Sequence, residues 1–229
     1  MHDNDKTLNA RRSVITGLGA AVAGLAVASQ AANAQSAGAS GFQPTRHAGD
    51  AWFDELPGQH RVFIDSATAL GGAEAVLYAN NLYNARDGAY PGEPADFAMI
   101  VCFRHLSTPF GYTDAMWAKY GQVFNSVMNF PNPATGQAFT VNPLNQTQTT
   151  LPNFGFTIDL VTGKGTHFGI CRAATQFFSG QIAQATGGSQ PDIFEELLAN
   201  GIPNSRFVSA GVMALTRAQE YGYSLLYAG

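Results

Sequence analysis

Charge is scarce in this chain. Of its 229 residues only 12% are Asp, Glu, Lys or Arg, against about 25% in ordinary globular proteins. Lysine stands only at Lys6, Lys119 and Lys164, and the formal net charge is −4. A basic nucleic-acid surface is therefore disfavoured, because such surfaces neutralise phosphates with clustered Lys and Arg. The two cysteines, Cys102 and Cys171, are too few for a disulfide-stapled framework, and they form neither a C-x-x-C redox pair nor a C-x-x-C-H haem site. No apolar run approaches the roughly 20 residues that span a bilayer. His47, His60 and His105 are too scattered for a metal site, and no H-E-x-x-H spacing occurs. The glycine fingerprints of nucleotide binding and the G-x-S-x-G elbow of serine hydrolases are also missing. Neither a metal nor an organic cofactor is expected.

What is present is an export address followed by one domain. Arg11-Arg12-Ser13-Val14-Ile15 precedes an uncharged Gly/Ala-rich stretch, Gly17 to Ala28, and then Ala32-Asn33-Ala34. Paired arginines, a weakly apolar run and an A-x-A site make residues 1–34 a signal peptide resembling the twin-arginine export signal, which implies a periplasmic mature protein. Cleavage after Ala34 removes Lys6, Arg11 and Arg12 from 12 basic residues, and Asp3 and Asp5 from 16 acidic ones. The mature net charge is then −5, which disfavours attachment to nucleic acid or to a membrane surface.

Residues 35–58, rich in Gly, Ala, Ser and Pro, read as a flexible arm or one lying over the domain. From residue 59 onward, apolar runs alternate with helical periodicity. Strands are expected at 61–65, 97–103, 167–171, 206–209 and 223–227. The first helix follows Thr68 as cap, with Glu74 in its first turns. Further helices are expected over 114–120 with Gly121 as stop, near 155–161, from Ala174 to Ile182, from Pro191 to Gly201, and over 212–221. Residues 122–150 form an insert without a clear period, with a hairpin as one reading. This alternation predicts a three-layer α/β/α domain with a mostly parallel five-stranded sheet. The low charge hints at self-association.

In an open parallel sheet, ligands bind beyond the carboxyl ends of the strands. That rule selects Asp65 and Thr68 after strand one, Arg104 and His105 after strand two, and Cys171 with Arg172 after strand three. Cys171 sits where a strand passes into a helix, and a thiolate there is stabilised by backbone N–H groups and any nearby cation. The bland alternative is a small buried hydrophobe, a reading stronger still for Cys102. If strands two and three are neighbours, the two thiols are also candidates for a disulfide. Arg104 and His105 suit anion binding or proton transfer, or else brace the loop.

The segments Phe168-Gly169-Ile170-Cys171 and Phe207-Val208-Ser209-Ala210-Gly211-Val212-Met213-Ala214-Leu215, continuing to Glu220-Tyr221-Gly222-Tyr223, resemble the DsrE/DsrF-like family of sulfur-relay proteins. The region from Ile100 to Tyr120, with Arg104-His105 and Pro109-Phe110, is similar to an exported branch of that family. The resemblance spans roughly residues 60–229. It implies a parallel five-stranded sheet between helices, homo-oligomers that are often trimers or hexamers, and a persulfide-carrying role for Cys171. A small anionic or sulfur-containing ligand near Arg104, His105 and Arg172 completes the expectation, and a non-catalytic oligomeric ligand-binding module is its rival. The insert, the export signal and the lack of a nearby resolving cysteine depart from the sulfur-carrying members.

Overall fold

The computed structural model describes residues 43–93 and 96–229; the leader and residues 35–42 of the arm lie outside the described residues. In chain order the regular elements begin with α1 (Trp52–Glu55), β1 (His60–Ser66), α2 (Ala69–Ala89) and β2 (Phe97–Phe103). They continue with α3 (Asp114–Met128), α4 (Ile158–Gly163), β3 (His167–Cys171) and α5 (Arg172–Thr186). The chain finishes with α6 (Gln190–Ala199), β4 (Ser205–Val208), α7 (Gly211–Glu220) and β5 (Ser224–Ala228).

All four strand pairings are parallel, in the order β4-β3-β2-β1-β5. This is the expected α/β fold, with helices over both faces of the sheet. The central strand β2 is an unbroken apolar run because both of its faces are covered. Met99, Val101 and Phe103 enter a large core with residues of α2 to α6, and Ala98, Ile100 and Cys102 enter a smaller core with Trp52, Phe53, Ala214, Ala218 and Tyr221. Chain handedness explains this unequal cover. The steps β1→β2→β3→β4 all run one way, so their right-handed crossovers share one face. The return from β4 to β5 runs the other way and must place α7 on the opposite face. Within the arm, Trp52 and Phe53 of α1 are buried on that thinner side.

Several local expectations are corrected by packing. The helix expected to stop at Gly121 continues to Met128 and ends at Asn129, whose φ is 50°. Gly121 is there for another reason: a Cβ on it would lie 2.0 Å from the Phe139 carbonyl oxygen, so only a bare Cα lets the insert approach the helix. The remainder of the insert forms no hairpin. It wraps around a short 3-10 helix, Pro143–Asn145, and is pinned by Asn142. The Asn142 amide donates to the carbonyls of Phe110 and Tyr112 at 2.8 and 2.9 Å, while its side-chain oxygen accepts the Leu144 N–H. Gly71 and Gly72 likewise serve packing: a Cβ at Gly71 would lie 2.4 Å from the Ala228 carbonyl oxygen, and one at Gly72 2.5 Å from the Phe110 ring. Among the described residues, no helix is long and apolar enough to cross a membrane.

Candidate functional site at the carboxyl ends of β1 to β4

The connection leaving β3 enters α5 and the connection leaving β4 enters α7, on opposite faces of the sheet. Neighbouring strands whose exits diverge open a crevice at their carboxyl ends. Cys171 ends β3 and is also the cap of α5. Its Sγ accepts the N–H of Ala174 at 3.4 Å and the N–H of Gly211, the first residue of α7, at 3.3 Å. Two helix N-termini therefore converge on one sulfur, and a negatively charged sulfur accepts such bonds better than a neutral thiol does. The Ala173 N–H is bound to the Ser209 carbonyl at 3.2 Å, which ties the start of α5 to the end of β4. The Cys171 carbonyl accepts from the Thr175 hydroxyl, which in turn accepts from Tyr112. Burial pushes the Tyr112 phenol up, so it stays a neutral donor.

At the same end of the sheet, a largely buried ion pair joins the ends of β1 and β2. Arg104 Nε and one terminal nitrogen donate to the two carboxylate oxygens of Asp65 at 2.7 and 2.8 Å. Asp65 is 2% exposed, whereas the Arg104 side chain is 20% exposed. The fork geometry matches a carboxylate in two places at once, which fixes the guanidinium in orientation as well as position. Hydrogen bonding to Asp65 also holds the Arg104 pKa above its ordinary value. The stem of Arg104 lies against the start of α7, where a Cβ on Gly211 would stand 2.5 Å from Arg104 Cβ. Ser107 anchors the other end by accepting the Arg104 N–H at 3.0 Å, with its hydroxyl 2.9 Å from the Ser66 carbonyl oxygen.

Cys102 shares the row formed by Asp65, Cys102 and Gly169 across β1, β2 and β3. It is fully buried. Burial, then the nearby Asp65 and Cys171, push its thiol well above the ordinary value, and Arg104 opposes them. Cys102 and Cys171 are both free thiols, so no disulfide links them.

Of the residues selected from sequence, the structure thus gathers Asp65, Arg104 and Cys171. Thr68 is the side-chain cap of α2, accepting the Gly71 N–H at 2.8 Å. Arg172 is exposed and sets its guanidinium 4.9 Å from the centre of the Phe194 ring. His105 is exposed and opens the 3-10 helix His105–Gly111 with a φ of 52°. Two components escaped sequence reasoning. The Asp65–Arg104 pairing depends on β1 and β2 being neighbours in register, and Gly211 reads only as a break before a helix. The strand-to-helix passage Val208-Ser209-Ala210-Gly211 carried the available signal, because it repeats the local grammar around Cys171. No group of three or more His, Cys, Asp or Glu side chains among the described residues is arranged to hold a metal ion.

Comparison with known proteins assigns no role to this site. No protein-family model matches the chain, and no curated protein matches it. Among solved structures it is similar to a protein of unknown function, MTH1491 from Methanobacterium thermoautotrophicum. The identity is 12% and the TM-score 0.39, over 74% of this chain and 99% of the other. That similarity decides nothing about the chemistry.

Proposed function

We propose that the chain is an exported, DsrE/DsrF-like α/β protein in which Cys171 handles sulfane sulfur or enters reversible thiol-redox exchange in the periplasm. The observation that carries this reading is the pair of backbone N–H groups, from Ala174 and Gly211, that meet at Cys171 Sγ. A thiolate held this way can attack the outer sulfur of a persulfide, R–S–SH. The new S–S bond forms on Cys171, the donor S–S bond breaks, and R–S⁻ leaves with the electron pair, so the products are Cys171–S–SH and a thiolate. The stem of Arg104 lies against Gly211, whose N–H meets the sulfur, and its guanidinium, orientated by Asp65, is the cation that would draw an anionic donor to this end of the sheet. Thiosulfate or polysulfide treatment followed by intact mass measurement tests the reading. A sulfur adduct removable by dithiothreitol is expected in the wild type and in Cys102→Ser, and none in Cys171→Ser. Absence of the adduct in the wild type overturns the carrier reading.

A second reading, a non-catalytic oligomeric module binding a small ligand, is favoured by the exposure of Cys171, which is only 6% in the single chain. Slow alkylation of native Cys171, no faster than that of a buried thiol, together with unchanged ligand binding in Cys171→Ser supports this module and counts against the carrier. Both readings include self-association. The edge strand β5 exposes Leu225, Leu226 and Tyr227, and an apolar edge of this kind is what a homo-oligomer covers. Light scattering of the eluted protein that shows a monomer removes this part.

A further inference from the structure

A cavity apart from the cysteine site lies between α2 and the insert, with a volume of about 580 Å³. Leu70, Glu74 and Tyr78 project from one stripe of α2, at the four-residue spacing that stacks side chains on a helix face. Phe130, Leu151 and Phe154 form the facing wall. The volume falls within the range of small-molecule sites, and the lining is of the usual kind, mostly apolar with very few polar groups.

Three features give the cavity a chemical preference. Glu74 is its one charged lining residue. Its carboxylate has no hydrogen-bond or ion-pair partner among the described residues. It is the sixth residue of α2, one turn in from the start, and the first turn itself holds no acidic residue. Secondly, aromatic rings from Tyr78, Phe130 and Phe154 surround the same space, and ring faces attract cations. Thirdly, Phe154 is 59% exposed and sits at a φ of 49°, a left-handed conformation that a bulky residue adopts at a cost.

We propose that this cavity binds a small organic cation: an amine or quaternary ammonium carried on an aryl or alkyl body. The ammonium pairs with Glu74 and faces the rings, while the apolar body fills the space towards Leu70 and Leu151. The site is separate from Cys171, and its occupancy does not depend on sulfur chemistry.

Calorimetric titration of the full mature protein with 4-phenylbutylamine, 4-phenylbutanol and 4-phenylbutyrate tests this. The amine is expected to bind about tenfold tighter than the alcohol, as a charge-assisted hydrogen bond warrants, and the carboxylate weakest. Glu74→Gln, nearly isosteric at a half-buried position, should bring amine and alcohol to within about twofold of each other. Phe154→Gly should weaken both without lowering the denaturation midpoint, because glycine suits that backbone. Cys171→Ser should change none of these affinities, so failure of the sulfur reading leaves this result standing. Equal or tighter binding of the alcohol or the carboxylate, an undiminished amine preference in Glu74→Gln, or no binding of any probe overturns the proposal.

Discussion

The backbone N–H of Gly211 donates to Cys171 Sγ at 3.3 Å across forty positions of chain. The contact exists because β3 and β4 are adjacent while their following helices leave by opposite faces, so the start of α7 meets the end of β3. Glycine is required at that meeting, since Arg104 occupies the space where a side chain would begin.

The Asp65–Arg104 pair is expected to show strong coupling. Arg104→Met leaves a buried carboxylate uncompensated and should cost about 3 kcal/mol. Asp65→Asn combined with Arg104→Met should cost clearly less than the sum of the two single changes. Urea denaturation of the four proteins measures the cycle, and additive losses would show that the pair does not act as a unit.

Cys102 should be chemically silent in the folded protein. Burial and the neighbouring Asp65 hold its thiol well above the ordinary value, so it stays protonated through mildly alkaline pH, where free thiols ionise. Iodoacetamide labelling with peptide mapping should leave Cys102 unmodified in native protein and modify it in urea. Native labelling of Cys102 would contradict its placement.

His167, half-buried at the start of β3, has its pKa lowered by burial from the ordinary 6.5. The unfolded chain therefore binds a proton more readily than the folded one. The contribution to stability is complete above pH 6.5 and is lost as the pH falls through the lower folded value. His167→Gln should flatten this part of the stability profile between neutral and mildly acidic pH, as read from denaturation midpoints. An unchanged profile would assign the acid sensitivity to other groups.

Gly121→Ala in α3 sets local propensity against packing. Alanine is favoured over glycine inside a helix by about 1 kcal/mol. Here its methyl group would stand 2.0 Å from the Phe139 carbonyl oxygen, so a net loss of about 2 kcal/mol is expected from backbone displacement. Thermal denaturation checks it. A stabilised variant would mean that the insert yields easily.

The apolar run of β2, the Thr68 cap, the proline near the start of α6 and the alternation of strand and helix were all legible in the chain. Each is a local signal, carried by neighbouring residues through steric preference, capping or periodicity. The Gly121 stop failed because a glycine that ends a helix and one that admits a neighbouring carbonyl look alike in sequence. The insert failed because Asn142 organises it through bonds to Phe110 and Tyr112, about thirty positions away.

The same division holds at the site. Sequence alone determined that Cys171 stands at a strand-to-helix passage and that Asp65 and Arg104 stand at strand ends, because the order of short-range elements follows from composition and period. Only the tertiary structure decided that Arg104 grips Asp65 rather than facing solvent, that Arg172 turns to Phe194, and that the second N–H on the sulfur comes from Gly211. Those pairings depend on strand order and on the face taken by each crossover, which are long-range outcomes of core burial and chain handedness that no local window of residues encodes.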